Sequence, residues 1–196
     1  RARPGGSPYN VAIGLARLGV RTSLMARLAD NGFGRLLRAH AQQEGLDLSA
    51  APHAVEPTTL AVVSLDEQSH VSYDFYLQGT ADWQWTAAEL DGALDGPVVA
   101  LHSGSLALTT APGAAVLREL MVRAAATATV SYDPNCRPLL MGDPADVLVG
   151  VHELLAVADV VKVSLEDLEW LSAGSNPEAV LEDWLGRGPA IVAVTL

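Results

Sequence analysis

Three polar clusters interrupt an otherwise apolar chain, and each stands where a strand-like pattern ends. His102-Ser103-Gly104-Ser105 follows an apolar run from Pro97. Asp133-Pro134-Asn135-Cys136-Arg137 follows one from Thr129, and Ser164 with Glu166 and Asp167 follows one from Asp159 that also carries Lys162. Ligands of open parallel sheets bind beyond the carboxyl ends of the strands, so three polar strand ends in series point to one site for a polar small molecule. Arg137 offers a planar fork of donors suited to carboxylate or phosphate, and Lys162, the sole lysine, offers a point cation. A lysine inside an apolar strand must be paired or reach an anion, because an isolated buried ammonium is costly.

Each cluster also has a structural explanation. Asp133-Pro134-Asn135 has the residue types of a turn, and Ser164 with two acids behind it is an ordinary helix start. His102 beside Ser103 lacks a third group to orient a base, so it reads as structural. At the other end of the chain, Gly5-Gly6 precedes a helical pattern at Asn10. Adjacent glycines suit either a close backbone approach to a ligand or a plain loop, while the Asn10 amide can both donate to and accept from hydroxyls. Neither a Gly-x-Gly-x-x-Gly nor a Walker A loop is present, nor His-x-x-x-His metal spacing, nor paired carboxylates placed for glycoside hydrolysis.

Composition narrows the classes. A net charge of −11 argues against nucleic acid, which needs clustered Lys and Arg. Anionic nucleotides are still admissible, because helix N-termini and local nests attract phosphate regardless of net charge. One cysteine, Cys136, leaves no intramolecular disulfide and suits a reducing cytoplasm. No run of about 18 apolar residues reads as a membrane span, and residues 1–6 lack the apolar stretch of a signal peptide.

The elements that must carry these residues follow from periodicity. Val11, Leu15 and Leu18 give a helix over 10–18 that stops at Gly19. A strand over 22–28, the turn Asp30-Asn31-Gly32, and a helix over 33–44 (Phe33, Leu36, Leu37) ending at Gly45 come next. Two β-rich runs, 58–65 and 70–77, flank a polar turn at 66–69 and predict a hairpin, a flap or small second sheet. Thr86 and Glu89 have capping-box spacing and open a short helix.

Regular alternation then predicts strands at 97–102, 129–132, 159–163 and 191–196. Helices are predicted at 111–126, from Asp143-Pro144, at 164–172 and from Asn176-Pro177. Strands separated by helices of this length imply an α/β fold with a parallel sheet covered on both faces. The expectation is one main domain over 1–196, 49% hydrophobic, with a small β flap. Because the chain opens just before a Pro-Gly-Gly turn and closes on an apolar strand, a piece of a longer protein is expected.

Spacing adds to this. Gly5-Gly6-Ser7-Pro8-Tyr9-Asn10-Val11-Ala12, Leu15-Ala16-Arg17-Leu18-Gly19 and Arg27-Leu28-Ala29-Asp30-Asn31-Gly32-Phe33-Gly34 together resemble the N-terminal signature of the ribokinase-like (PfkB) carbohydrate kinases. Asp133-Pro134-Asn135-x-Arg137, Asp159-Val160-Val161-Lys162-Val163-Ser164, and Phe75-Tyr76 before Thr80-Ala81-Asp82 are similar to blocks of its fructokinase-like branch. The resemblance runs in order over nearly the whole chain.

It implies a central, mainly parallel sheet flanked by helices. A small β lid, the hairpin at about 58–77, would close over a sugar and in relatives also forms a dimer interface. The implied reaction is transfer of the ATP γ-phosphate to a sugar hydroxyl with Mg²⁺. By the same resemblance Gly5, Gly6, Asn10 and Tyr76 would contact the sugar, and Arg137 would lie near the transferred phosphate as a catalytic residue. Asn135, Lys162 and Ser164 would meet the nucleotide phosphates, and Asp167 would reach Mg²⁺ through water. Ser164 and Asp167 stand where the family has Asn-x-x-Glu, and Ala29 stands where Gly is usual. The family's base, an Asp in Gly-Ala-Gly-Asp, does not occur before Leu196, nor does the sugar-binding Asp of the first strand, and both are expected in segments outside this sequence. Fructose is the expected sugar. A 2-keto-3-deoxygluconate kinase (Arg137 pairing a substrate carboxylate), a nucleoside kinase, and a non-catalytic relative are the alternatives.

Overall fold

The computed structural model describes residues 2–65 and 71–196, which fall into two compact units, Arg1–Trp85 and Thr86–Leu196. The turn anticipated at 66–69, and His70 at the head of the second β run, lie outside the described residues.

In the first unit, helix α1 (Ser7–Arg17) begins three residues earlier than the periodicity suggested. Pro8 sits in its first turn, where a missing N–H leaves nothing unsatisfied. The buried face also differs. Tyr9, Ala12 and Ile13 pack with Leu24, Ala41 and Leu46, while Leu18 is left 81% exposed. The Tyr9 hydroxyl explains the rotation: it donates to the Leu37 carbonyl (3.1 Å) and lies 2.8 Å from His40 Nδ1, drawing the aromatic face inward.

The strand expected at 22–28 contracts to a parallel bridge between Ser23 and Asp47 and a two-residue strand, β1 (Leu28–Ala29). Its parallel partner β2 (His53–Ala54) is just as short, and Pro52 before it has no N–H with which to lengthen the ladder. Helix α2 (Gly32–Gln43) starts where Asn31 Oδ1 accepts the N–H groups of Phe33 and Gly34, both at 3.0 Å, and ends before Gly45 at φ +80°. A Cβ on Gly34 would stand 1.9 Å from the Ala29 carbonyl oxygen, so only glycine lets this helix start against β1. Phe33 and Leu36 face outward instead of inward.

Strands β3 (Leu60–Leu65) and β4 (Val71–Tyr76) form the expected antiparallel hairpin, in register from Leu60 opposite Tyr76 to Leu65 opposite Val71. Polar ties fix its base. Thr58 Oγ1 donates to Asn31 Oδ1 (2.9 Å), Thr59 and Thr80 hydroxyls meet at 2.6 Å, and the Ala81 N–H reaches the Pro57 carbonyl (2.9 Å).

The second unit follows the predicted alternation closely. Thr86 and Glu89 form the capping box, but it closes a 3-10 turn, Ala87–Leu90, instead of an α-helix. The elements then run β5 (Ala100–Gly104), a 3-10 turn Ser105–Leu108, α3 (Gly113–Ala124), β6 (Thr129–Asp133), α4 (Pro138–Met141), α5 (Pro144–Leu155), β7 (Val160–Ser164), α6 (Leu165–Leu171), α7 (Pro177–Gly186) and β8 (Ile191–Thr195). All neighbouring strands are parallel in the order β5-β6-β7-β8. Asp143, Ser164 and Asn176 cap α5, α6 and α7 through their side-chain oxygens, as their residue types anticipated. The short helix α4 was not anticipated. Val130, Val161, Val163, Leu120, Met121, Leu155, Leu168 and Trp184 are buried, each large side chain contributing about 1.5–3 kcal/mol by leaving water. Among the described residues, no helix is long and apolar enough to cross a membrane.

Candidate functional site

Parallel pairing brings the three polar clusters to one edge of the second unit's sheet. Register places Gly104 beside Asp133 and Ser164 beside Thr195. At the end of β5 and β6 the strands are pressed together, for a Cβ on Gly104 would lie 1.9 Å from the Asp133 carbonyl oxygen. Asp133 is buried, and its carboxylate is divided between two partners. Oδ1 accepts the Asn135 N–H (3.0 Å), and Oδ2 accepts from Lys162 Nζ (3.3 Å).

That first bond folds the loop. Asn135 takes φ +38°, a left-handed conformation that asparagine tolerates better than most residues. Its carbonyl then receives the Ser105 hydroxyl (3.0 Å) and Arg137 Nη1 (3.4 Å). Arg137 Nη1 also donates to Asn135 Oδ1 (3.1 Å) and to the Cys136 carbonyl (2.6 Å), so the exposed guanidinium is folded over its own loop while Nε and Nη2 make no hydrogen bond among the described residues. Cys136 is no nucleophile here. Burial first, then the charges of Asp167 and Asp133, push its thiol up to about 12 against the opposing pull of Arg137.

Lys162 lies on the less buried face of β7. Its neighbours Val161 and Val163 are fully buried, but the two-residue alternation of β7 turns the lysine to the other face, where its side chain is 41% exposed. It is paired, as a lysine in an apolar strand must be, and two of its three donors remain for another acceptor.

Ser164 realises the structural explanation: its Oγ accepts the Asp167 N–H (3.1 Å), which leaves the hydroxyl proton to donate elsewhere. The half-buried Asp167 carboxylate accepts no hydrogen bond among the described residues. His102 is structural too. Its Nδ1 meets Ser131 Oγ (3.1 Å), its Nε2 is buried without a partner, and burial depresses its pKa although Asp133 acts in the other direction.

In the first unit, Gly6 has φ +122° and ψ 139°, which a side chain would forbid, and it occupies the N-cap of α1 with its carbonyl accepting the Asn10 N–H (2.8 Å). Gly5 meets open space and has no such requirement. Asn10 is exposed with its amide free of any hydrogen bond among the described residues, and Tyr76 is exposed at the end of β4. Sequence reasoning passed over Thr58, the capping role of Asn31 and the pairing of Asp133 with Lys162. Asn31 read only as a turn residue, although an Asn three residues before Gly34 also has cap spacing. Thr58 meets Asn31 and Asp133 meets Lys162 across 27 and 29 residues, contacts that left no local signal, whereas the Asp133–Asn135 bond is the turn its residue types announced.

The sequence profile of the pfkB family of carbohydrate kinases matches residues 1–196. The chain belongs to that family. Among relatives of this pfkB protein, a fructokinase of Rhizobium leguminosarum bv. trifolii is 33% identical over 191 residues, which is 97% of this chain and 58% of that enzyme. A fructokinase of Vibrio cholerae O395 in apo form superposes with a TM-score of 0.87 at 29% identity, over 99% of this chain and 67% of that one. The same enzyme in a fructose, ADP and calcium ion bound form superposes with a TM-score of 0.83, again at 29% identity, over 98% of this chain and 63% of that one. The pfkB chain thus spans about three-fifths of the curated relatives it matches. Both the family and the fructokinase-like branch expected from the glycine-rich and Asp-Pro-Asn blocks agree with these matches, as does the α/β class with its mainly parallel sheet and flanking helices.

Proposed function

We propose that this protein phosphorylates a sugar hydroxyl with ATP, and that the sugar is fructose, giving fructose 6-phosphate. One observation carries the reading: Arg137 in the loop after β6 and Lys162 on β7, two cations with free donors, and Asp167 in the first turn of α6, an unpaired carboxylate, follow or flank the carboxyl ends of adjacent parallel strands. The fructokinases to which the chain is similar, one of them with fructose and ADP bound, support it.

In this reading Asn10 hydrogen-bonds sugar hydroxyls, the Gly5-Gly6 backbone admits the sugar closely, and Tyr76 covers it from the hairpin. Arg137 and Lys162 receive the phosphoryl oxygens as charge moves from γ-phosphate to the β–γ bridge, with Asn135 and Ser164 adding neutral donors. The sugar oxygen forms its bond to the γ-phosphorus as the bond to the bridging oxygen breaks, ADP departs, and the hydroxyl proton passes to a base that we do not assign within residues 1–196.

Mg²⁺ fits the residues present. Among the described residues no cluster of three or more potential ligands exists, and this ion needs few: one carboxylate, water and substrate phosphates suffice, and Asp167 supplies the carboxylate. When bound it would neutralise phosphate charge. The hairpin at 58–77 would act as the lid that excludes water. Its exposed Val62, Val63 and Tyr73 suit a second copy of the chain as partner, and a cytoplasmic setting suits an ATP-dependent enzyme with one buried thiol.

A substrate panel with the intact protein, fructose, ribose, 2-keto-3-deoxygluconate and adenosine tests the proposal. Fructose should give the highest kcat/KM. The ketodeoxygluconate in first place would instead assign Arg137 to a substrate carboxylate, and no ATP-dependent product from any of the four would overturn the reading.

A further inference from the structure

We propose that Asp133 is the positioning residue of the phosphate-facing edge, holding the Lys162 ammonium and the Asn135–Arg137 loop in place with a single carboxylate; the inference rests on the kinase reading above.

A buried carboxylate left without a cation is strongly destabilising, so burial of Asp133 at the end of β6 obliges a cation to sit beside it. Lys162 supplies it from β7 at 3.3 Å. The contact engages one ammonium donor and pins a long, otherwise mobile side chain beside the end of β6, leaving its other donors without a partner among the described residues. Asp133 Oδ1 simultaneously closes the turn onto the Asn135 N–H at 3.0 Å, and that turn sets the carbonyl to which Ser105 and Arg137 are bonded. Both cations of the site therefore take their placement from one side chain. Gly104 completes the cradle, since any side chain there would collide with the Asp133 backbone.

Placement and affinity separate in this arrangement. Asp133→Asn is nearly isosteric and can still accept the Asn135 N–H, but it loses the charge that pins Lys162. It also removes a negative charge from a site for anions. In the intact protein kcat should therefore fall about 10–100-fold, as for a misplaced catalytic group, while the KM for ATP does not rise. In a Lys162→Met background the same substitution should change kcat less than about threefold, because the residue it positions is already gone. A rise in the KM for ATP at unchanged kcat, or effects of the two substitutions that multiply in full, would overturn the proposal.

A second readout needs no activity. With ¹³C-labelled lysine, the Lys162 signal is assigned by its loss in Lys162→Met. A pinned side chain should show two resolved ε-methylene protons in the wild-type protein that merge in Asp133→Asn. A single averaged ε-methylene signal for Lys162 in the wild type would sink the idea without Asp133→Asn having to fold. If the substrate panel yields no product, the kinase reading fails, and the lysine spectrum alone still decides whether Asp133 holds Lys162.

Discussion

Gly104 and Asp133 face each other across β5 and β6 with no room for one further carbon: a Cβ on Gly104 would stand 1.9 Å from the Asp133 carbonyl oxygen and 3.2 Å from its amide nitrogen. The obstacle is backbone, which cannot swing aside as a side chain can. Gly104→Ala should therefore destabilise the protein by about 1–3 kcal/mol, the range of an overpacked core. Chemical denaturation of the two proteins checks this, and an unchanged midpoint would show that the strands separate freely.

Asn10 gives the opposite pattern. Its side chain is exposed and takes no part in holding α1 together. Asn10→Ala should alter stability by less than about 0.5 kcal/mol. If the amide binds the sugar, the KM for fructose should rise about 3–10-fold, the loss of one or two neutral hydrogen bonds. Parallel melting curves and steady-state kinetics measure both, and an unchanged KM would remove Asn10 from the sugar contacts.

Ser164 has two candidate roles that one pair of variants separates. As the cap of α6, its replacement by Ala should cost about 1 kcal/mol of stability, and Asp, an equally good cap, should restore it. At a phosphate-facing position, however, Asp places an anion against an anion. Ser164→Asp should be as stable as wild type yet show a raised KM for ATP, whereas normal ATP kinetics would confine Ser164 to capping.

His102 makes stability depend on pH with a definite sign. Burial depresses its folded-state pKa below the ordinary value near 6.5, so the unfolded chain takes up its proton first as the solution is acidified. The stability from neutral His102 is fully present above about pH 6.5 and is lost as pH falls through that value toward the depressed one. His152, shifted the same way by burial and by Arg187, adds to the same limb. The melting temperature should fall between pH 7 and 5.5, and His102→Gln should flatten part of that fall. Parallel curves for the two proteins would mean that His102 does not contribute.

The second unit was legible because its signals are local. Asp143-Pro144, Ser164 and Asn176-Pro177 are caps whose partners lie two or three residues away, and the apolar runs between them have one period each. The first unit was less so. Which face of α1 is buried depends on Tyr9 reaching Leu37 and His40, about 30 residues on, a contact no window around the helix contains. Strand 22–28 shrank because its would-be partner holds Pro52, also distant in sequence. The site divides along the same line. Arg137, Lys162 and Asp167 were candidates by type and position, but Asp133, which we propose orders two of them, looked like part of a turn. It is one, and the oxygen it does not use for the turn binds a lysine 29 residues away.

The most direct measurement is ³¹P NMR of the intact protein with ATP, Mg²⁺ and fructose. Transfer to the sugar should convert the γ-phosphate signal into a phosphate monoester of fructose together with an equal amount of ADP, and omitting fructose should abolish both. ATP left unchanged, or inorganic phosphate formed at the same rate with and without fructose, would contradict the account.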